Sequence, residues 1–433
     1  MFLGIDDTDS RTGMCTTYVG LRAILKLIDM GYDIIGYPNL VRLNPNVPWK
    51  TRGNGSVVIR FGVGKGSKLK IGEYEGESIF AYSHGSDDVK VKIESIAKHI
   101  ERFFVLSDEN TNPGMVLTSK KLPEWLYWKG VREILDLTMV EETLKKYNAK
   151  YIKYKLGRGI IGASCGIAWG KKRKTYELLT YTSSNYRFVD SDSVKEMDKA
   201  IKSTFDNYDY LNNYVAIMPN SATPVLYGIR GTIVEELVKA MSMIKSSEYN
   251  AYLIYETNQG TDDHLVRKKI SEVKNYESVI VRGTVFSNPR RIVGGHVIFK
   301  MRDESGVIEC AAYEPTKQFR NVIEKLRIGD EVEVYGGIRG DRVTINIEKI
   351  KIMKVPEMRE KLSNPVCPKC GRKMESVGRG KGYRCRKCGT RAGEDAAIYR
   401  IVPREIKPGF YEVPVIARRH LAEPLKLIKE NIF

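Results

Sequence analysis

The sequence lacks the features that would carry a chain into or across a membrane. No apolar run among its 433 residues is long enough to span a bilayer, and no basic segment precedes an apolar one as in a secretory signal. Cysteine is scarce and odd in number, with seven residues, so full pairing into disulfides is excluded. These absences predict a cytoplasmic protein without a transmembrane segment, whose scattered cysteines are reduced.

Negative charge is also in short supply. The chain has 71 Lys+Arg against 53 Asp+Glu, which gives a net charge of +18. This imbalance favours a polyanionic partner, because basic side chains that neutralise phosphates release counterions; a solvated basic surface is the alternative. With 42% hydrophobic and 29% charged residues the chain has the composition of a folded protein, and its length predicts three or four domains.

The first stretch of the chain concentrates acidic and hydroxyl groups after a short apolar run. These groups are Asp6, Asp7 and Asp9, followed by Thr16 and Thr17. Apolar residues at helical spacing come next, so the pattern predicts a strand, an acidic turn and the start of a helix. Carboxylates at a strand end suit Mg²⁺, and a helix N-terminus offers free N–H groups to phosphate. The alternative is ordinary helix capping, although a cap needs only one such residue.

Two glycine-rich turns are candidate phosphate-binding loops. The candidate nucleotide-binding residues are Lys50, Arg52, Gly53, Asn54 and Gly55 in the first turn, and Gly157, Arg158 and Gly159 in the second. Backbone amides in such turns approach phosphate closely, and arginine clamps it with two hydrogen bonds. The first turn also reads as a hairpin leading into the strand 57–61, and tight helix–strand packing explains the second equally well. From residue 64 to 85 the pattern is weak.

Polar residues cluster again at the turns of a predicted strand–helix–strand unit between residues 214 and 264. Loops at strand ends are common ligand sites. The candidate substrate-binding residues in these turns are Tyr227, Arg230, Asn258 and Asp262.

Residues 276–353 predict an OB-fold barrel. They contain five short alternating runs with a helical piece between the third and the fourth, which is the order of elements in that fold. OB barrels bind single strands through basic and aromatic side chains, and the alternative use is protein packing. The candidate RNA contacts are Arg290, Arg291, Tyr313 and Phe319.

Two C-x-x-C pairs near the C-terminus predict a structural zinc site. The ligands are Cys367, Cys370, Cys385 and Cys388, and four thiolates leave no open coordination position. Residues 361–404 around them carry 12 Lys+Arg and three Asp+Glu. A small basic ribbon beside an OB barrel suits nucleic acid. The last stretch, 405–433, either packs back on the body or frays.

Six motifs in order, followed by a barrel and a ribbon, resemble the archaeal tRNA-isoleucine 2-agmatinylcytidine synthetase family. The motifs are G-I-D-D-T-D, G-M-C-T-T, K-T-R-G-N-G, G-R-G-I-I-G, P-V-L-Y-G-I-R-G and T-N-Q-G-T-D. The resemblance implies a multidomain α+β fold with a kinase-like and a ferredoxin-like domain in residues 1–270. It also implies that agmatine is joined to C2 of the wobble cytidine of tRNA-isoleucine with a CAU anticodon, so that AUA is read, with ATP consumed to AMP and two phosphates.

The same resemblance implies roles for individual residues. Asp6, Asp7 and Asp9 would hold Mg²⁺-ATP, and the phosphorylated threonine of the family falls on Thr16, with Thr17 as the alternative. The basic residues and glycines of the two glycine-rich turns would line the phosphates. Agmatine is dicationic, so its pocket should contain carboxylates, for which Glu256, Asp262 and Asp263 are candidates.

Two other functions stay open on the sequence. One is a non-catalytic nucleic-acid-binding scaffold, which leaves the acidic cluster and the glycine-rich turns unexplained. The other is an ATP-dependent kinase or ligase that acts on a different amine or RNA.

Overall fold

The computed structural model describes residues 1–340 and 342–429, and one sheet of eleven strands organises the first half of the chain. The strands of this half are β1 (Phe2–Asp6), β2 (Asp33–Ile35), β3 (Asn39–Arg42), β4 (Gly55–Tyr74), β5 (Glu77–Ser86), β6 (Gly114–Thr118), β7 (Lys150–Lys153), β8 (Thr175–Tyr181), β9 (Thr204–Phe205), β10 (Tyr208–Asp209), β11 (Tyr214–Val215), β12 (Val225–Gly231) and β13 (Ala251–Thr257). The helices are α1 (Thr16–Asp29), α2 (Ile93–Ile100), α3 (Glu124–Arg132), α4 (Leu137–Lys146), α5 (Gly159–Ala168), α6 (Ser191–Ala200) and α7 (Val234–Met243).

The sheet joins two parts of the chain that are far apart in sequence. Its main order is β7-β6-β1-β4-β3-β13-β8-β12-β9, and β2 and β5 pair at the side of β4. Strand β13 is the junction, because it pairs in parallel with β3 and antiparallel with both β4 and β8. Continuous backbone hydrogen bonds therefore hold the N-terminal part and the part after residue 170 in a fixed relation.

Helix α5 packs very close to strand β1. Small residues fill this helix, which is buried along almost its whole length. A Cβ on Gly4 would lie 2.6 Å from the carbonyl oxygen of Ala163, and a Cβ on Gly162 would overlap the carboxylate of Asp6. Only glycine permits this approach, so the spacing of the second glycine-rich turn is set by helix–strand packing.

The weak pattern between residues 64 and 85 belongs to a long hairpin formed by β4 and β5. Many side chains of its outer half are exposed, so no apolar alternation marks the strands in the sequence. Gly72 sits where β4 passes β13, and a Cβ there would overlap the carbonyl oxygen of Tyr252. The glycine in this strand thus marks a close backbone approach.

The predicted OB barrel is confirmed. Its elements are β14 (Leu265–Arg267), β15 (Ser278–Val285), β16 (Arg290–Arg291), β17 (Val297–Arg302), β18 (Val307–Ala312), α8 (Phe319–Glu324), β19 (Glu331–Ile338) and β20 (Thr344–Lys354). Strand β15 pairs with both β17 and β19, and β18 pairs in parallel with β20, so the barrel closes. Apolar side chains from each main strand and from α8 fill its interior.

The basic ribbon projects from the barrel and is connected to it by two paired strands, which form a stalk. Strands β21 (Met358–Ser363) and β25 (Ile398–Val402) form the stalk, and β22 (Glu375–Ser376), β23 (Tyr383–Arg384) and β24 (Arg391–Ala392) form the ribbon sheet. After the stalk the chain returns as β26 (Gly409–Glu412), which pairs with β20 of the barrel.

The C-terminal segment packs back on the body and ends in helix α9 (Leu425–Lys429). Between β26 and α9 it runs along the boundary between the barrel and the large sheet. Arg418 forms ion pairs with Asp206 and, at 2.7 Å, with Glu412. Within residues 1–340 and 342–429, no helix has the length and apolar character needed to cross a membrane.

We expect Arg418→Ala to lower the free energy of unfolding by about 3 kcal/mol, because it leaves the buried carboxylate of Asp206 without its main partner. Arg400→Ala is the matched control, since the Arg400–Glu360 pair is exposed and should contribute about 0.5 kcal/mol. Urea denaturation followed by tryptophan fluorescence measures both. Equal effects of the two substitutions would contradict a structural role for the Arg418 pair.

Candidate functional site

The acidic loop follows β1 and leads into α1, as the sequence predicts. Asp7 adopts a left-handed backbone with φ of 57°, and its N–H donates to the Asp6 carboxylate at 2.7 Å. Asp9 accepts the N–H of Thr16, also at 2.7 Å. The N-cap residue of α1 is Cys15, and Asp9 accepts the first N–H of the helix from outside the cap, whereas Asp6 and Asp7 have no such role.

Burial of these carboxylates makes their charged forms costly. Burial raises the pKa of Asp6 well above its usual range, and the neighbouring charge of Asp7 raises it further. Burial, followed by the charge of Asp9, raises the pKa of Asp7 to about 7. A bound cation would remove both penalties, so these two groups fit a metal site.

A cleft of about 760 Å³ brings the acidic loop together with the first glycine-rich turn. The predicted residues that line it are Asp6, Asp7, Asp9, Thr16, Lys50, Arg52, Gly53, Asn54, Gly55 and Arg158. Two motifs that are well separated in sequence thus face one space. The apolar part of the wall comes from α3 and α5 and the loops beside them, and includes Trp49, Ile134 and Ile161.

The basic residues of the first turn have partners that fix their positions. Arg52 lies 3.5 Å from the Asp9 carboxylate and donates to the carbonyl oxygens of Met14 and, at 2.9 Å, Ala222. Lys50 donates to the carbonyl oxygen of Pro45, and burial lowers its pKa to about 7, with further lowering from Arg339 and Arg419. An anion in the cleft would restore the positive charge of Lys50.

The second glycine-rich turn contributes to the cleft differently from the prediction. Arg158 lines the cleft and stacks on Trp49, with 4.6 Å between guanidinium and ring. Gly157 and Gly159 are both buried, and neither is among the described residues that line the cleft. The lining of the cleft therefore does not support their assignment as phosphate contacts, and Gly159 packs instead against β1 and β6. The packing alternative holds for this turn.

A second compartment of about 1300 Å³ adjoins the first. Asp9, Thr16 and Arg52 line both compartments, as do the glycines of the first turn. Its other polar lining residues include Thr17, Arg42, Glu177, Asp206, Arg230 and His420. Of the predicted substrate-binding residues, Arg230 is here.

The charged groups of the second compartment are paired with one another. Arg230 lies 3.2 Å from Glu177 and 3.7 Å from Asp206. Arg42 lies 3.8 Å from Glu177. Sequence reasoning missed Glu177 and Asp206, although the single carboxylate in the otherwise uncharged strand β8 was a usable signal for Glu177.

The other predicted substrate-binding residues have structural roles, so their assignment is corrected. Tyr227 is fully buried in the core between the sheet and α6 and α7. Asn258 is buried and bonds the backbone N–H and carbonyl of Arg42. Asp262 pairs with Lys349 of the barrel at 2.7 Å.

The two further carboxylates predicted for agmatine are also occupied elsewhere. Glu256 pairs with Lys171 and with Lys174, the latter at 2.7 Å. Asp263 accepts the hydroxyl hydrogen of Tyr127 inside the protein. Neither carboxylate is among the residues that line the two compartments in the described part of the chain.

On the barrel, three of the four predicted RNA contacts reach the surface. Arg290 is exposed, Arg291 pairs with Glu324 at 2.7 Å, and the ring of Tyr313 is 39% exposed beside His296. Phe319 is buried in the barrel core. A base cannot stack on it, so that prediction is wrong.

The four ribbon cysteines form a ready-made metal site. Their sulfur atoms all lie within 4.8 Å of one another, with Cys367 and Cys388 at 3.5 Å and Cys370 and Cys385 at 3.4 Å. Tetrahedral zinc with bonds of about 2.3 Å requires sulfurs about 3.8 Å apart, which this set matches closely. Among the described residues this is the one such group of three or more. The three aspartates therefore do not form a closed cage of their own.

Comparisons with known proteins match the whole length of the chain. The TiaS TCKD domain matches residues 2–156, the TiaS FLD domain 157–264, an OB-fold nucleic acid binding domain 279–353, and the TiaS C-terminal zinc ribbon domain 364–406. The tRNA-isoleucine 2-agmatinylcytidine synthetase TiaS of Archaeoglobus fulgidus is 42% identical over 441 residues, covering 100% of this chain and 98% of the relative. That of Methanocaldococcus jannaschii is also 42% identical, covering 99% of each.

Solved structures give the same result. A complex of TiaS with its isoleucine tRNA and ATP has a TM-score of 0.81 at 39% identity, covering 99% of this chain and 97% of that one. A complex of TiaS with the same tRNA, AMPCPP and agmatine has a TM-score of 0.78 at 36% identity, covering 99% and 96%. The likeness thus extends across all domains in one arrangement.

We expect Gly162→Ala to weaken the binding of Mg²⁺-ATP by about tenfold or more, because the added methyl group displaces the Asp6 carboxylate. Gly13→Ala in the acidic loop is the control, since a Cβ there meets no atom within 4 Å. Isothermal titration calorimetry measures both affinities. Equal affinities in the two variants would show that the position of Asp6 does not matter for binding.

We expect Cys367→Ser to release the zinc and unfold the ribbon while the barrel stays folded, because three thiolates hold the ion poorly. The measurements are zinc content by mass spectrometry and protease cleavage within residues 361–404. Cys310→Ala is the control, because Cys310 is buried in the barrel core. Full zinc content in Cys367→Ser would refute the assignment of this ligand.

Proposed function

The chain belongs to the TiaS family of tRNA-isoleucine 2-agmatinylcytidine synthetases, and from this membership we infer that it is an ATP-dependent ligase. It joins agmatine to C2 of the wobble cytidine of the isoleucine tRNA that carries the CAU anticodon. Its zinc ion is structural and is held by the four ribbon cysteines. The tRNA substrate supports a cytoplasmic location. We divide the chain into a catalytic region, 1–270, the barrel, 276–353, the ribbon, 361–404, and a C-terminal segment, 405–433.

The convergence of the acidic loop and the first glycine-rich turn on one cleft is the observation that carries our site assignment. In the proposed arrangement Asp6 and Asp7 hold Mg²⁺, which commonly takes one or two carboxylates together with nucleotide phosphates. Lys50, Asn54 and the backbone amides of the turn bind those phosphates. When bound, the metal ion neutralises phosphate charge. Arg52 acts as a brace, because its hydrogen bonds hold the acidic loop against the loop that contains Ala222.

Thr16 is the better candidate for a phosphorylated threonine. Its hydroxyl lies 3.2 Å from the Asp9 carboxylate, which is placed to take its proton, and the residue lines both compartments. The hydroxyl of Thr17 lies instead 2.8 Å from the sulfur of Cys15, and Thr17 lines only the second compartment. Positioning of the attacking hydroxyl relative to the phosphate supplies most of the rate acceleration in enzymatic phosphoryl transfer.

The ligation itself requires an activated cytosine. The C2 carbonyl is a poor electrophile, so we propose that its oxygen first takes the γ-phosphoryl group of ATP: the bond from the γ-phosphorus to the bridging oxygen breaks, a P–O bond to O2 forms, and ADP is left. The β-phosphoryl group then passes to the Thr16 hydroxyl and from there to water, which leaves AMP and the second phosphate. The amine of agmatine then attacks C2, and phosphate leaves with the original oxygen while the amine loses a proton. The second compartment suits the cytidine and agmatine, because Glu177 and Asp206 face it and it adjoins the phosphate-binding turn.

The barrel and the ribbon would hold the tRNA outside the cleft. The exposed Arg290 and Tyr313 and the basic residues of the ribbon offer phosphate and stacking contacts. The wobble base must leave the anticodon stack to reach the compartment. Binding and chemistry would then lie on different domains of one chain.

Mass spectrometry of nucleosides tests this function directly. A tRNA-isoleucine transcript incubated with the protein, ATP, Mg²⁺ and agmatine should yield a cytidine heavier by the agmatine adduct. The adduct should require both ATP and agmatine and should be lost in Asp7→Asn while tRNA binding persists. Unmodified cytidine with AMP release would indicate a different amine or RNA, and unmodified cytidine without AMP would favour a binding scaffold.

A further inference from the structure

The segment that follows the ribbon forms part of the cleft wall. It is fixed from both sides: Arg418 pairs with Asp206 of the large sheet region, and Arg419 pairs with Glu348 of the barrel at 2.7 Å. The carbonyl oxygen of His420 accepts the N–H of Gly260 at 2.8 Å. These contacts hold the backbone of His420 in place, and its side chain lines the second compartment.

The ring of His420 lies between Arg230 and the first glycine-rich turn. Its Nδ1 atom lies 2.7 Å from the guanidinium of Arg230. Its other edge faces the turn, because a Cβ on Gly53 would lie 3.1 Å from Nε2 and 3.0 Å from Cδ2. One edge of the imidazole is therefore used by the protein, and the other edge points to the proposed phosphate-binding turn.

The contact with Arg230 decides which nitrogen carries the hydrogen. A guanidinium only donates hydrogen bonds, so Nδ1 must accept, and the hydrogen of the neutral ring is on Nε2. Burial lowers the pKa of His420 well below its usual range, and the positive charges of Arg42 and Arg230 lower it further. The ring is thus a neutral donor directed at the cleft.

We propose that His420 is a substrate-contacting residue of the ligation, whose Nε2–H donates to an acceptor oxygen of the bound nucleotides, a phosphate oxygen or cytosine O2. This proposal rests on the proposed function. Agmatine is a poor partner for this hydrogen, because its guanidinium and its protonated amine only donate, and the lone pair of the deprotonated amine is used in the attack on C2. Among the substrates, the acceptors belong to ATP and to the cytidine.

The structure also explains why a neutral donor stands here. Arg42, Arg52 and Arg230 already line this compartment. A further cation would repel the dicationic agmatine, whereas a neutral N–H binds oxygen without adding charge. The ring therefore provides oxygen recognition at a point where agmatine must also approach.

Two variants separate the functions of the two nitrogens. In His420→Gln the amide N–H₂ replaces the donor at the Nε2 position, whereas His420→Asn reaches only to the Nδ1 position and loses that donor. We expect His420→Asn to lower the rate of agmatine-adduct formation by about tenfold or more, and His420→Gln to recover most of it. tRNA affinity and melting temperature should be the same in both. Equal adduct rates in the two variants, or loss of tRNA binding in both, would overturn the proposal.

The wild-type protein gives a second, independent test. It has five histidines, so the ring nitrogens can be followed by ¹⁵N NMR. The Nε2–H signal of His420 should shift when AMPCPP binds if the acceptor is a phosphate, and only after tRNA is added if the acceptor is the cytidine. Absence of a shift both with AMPCPP alone and after tRNA is added would refute the contact. If the wild-type protein forms the adduct but the His420 tests give a negative result, only this inference fails. If the wild-type protein forms no adduct, the proposed function fails.

Discussion

The close approach of α5 to β1 is the constraint on which the site depends. Glycines at both contact faces, Gly4 on the strand and Gly159 and Gly162 on the helix, allow backbone to pack on backbone. This contact brings the carboxylate of Asp6 against the helix, where it is shielded from water. Two carboxylates at this strand end consequently share a poorly solvated space, in which a bound cation would offset the cost of their charges.

A second constraint is the sheet that both parts of the catalytic region share. Strand β13 bonds to β3, β4 and β8, so one continuous sheet supports both compartments of the cleft as a rigid unit. Arg52 contributes to the same rigidity, since it connects the acidic loop to the loop after β11. The proposed phosphoryl donor and acceptor sites are therefore positioned by the same sheet.

The sequence predicted best what consecutive residues determine. The acidic loop, the first glycine-rich turn, the zinc ligands and the order of the barrel strands each depend on local chemistry or spacing. The assignment of substrate-binding residues failed where a polar residue at a turn contacts a residue that is distant in the sequence. Asn258 binds the backbone of Arg42, and Asp262 binds Lys349 of the barrel. The prediction that Phe319 contacts RNA failed for a related reason, since the sequence of a short helix gives little indication of which face packs on the barrel. Nothing local in the sequence indicates that His420 reaches the cleft, because its position depends on ion pairs with two other domains.

The path of the chain through the ribbon also has a consequence for biosynthesis. The acidic loop leaves the ribosome before the barrel and the ribbon, whereas the wall that contains His420 is made only after them. A nascent chain that has folded its large sheet thus has an incomplete cleft. The acidic loop and the first glycine-rich turn acquire their full surroundings only when the barrel and the ribbon are already present, so the order of synthesis keeps an unfinished chain from forming the complete cleft.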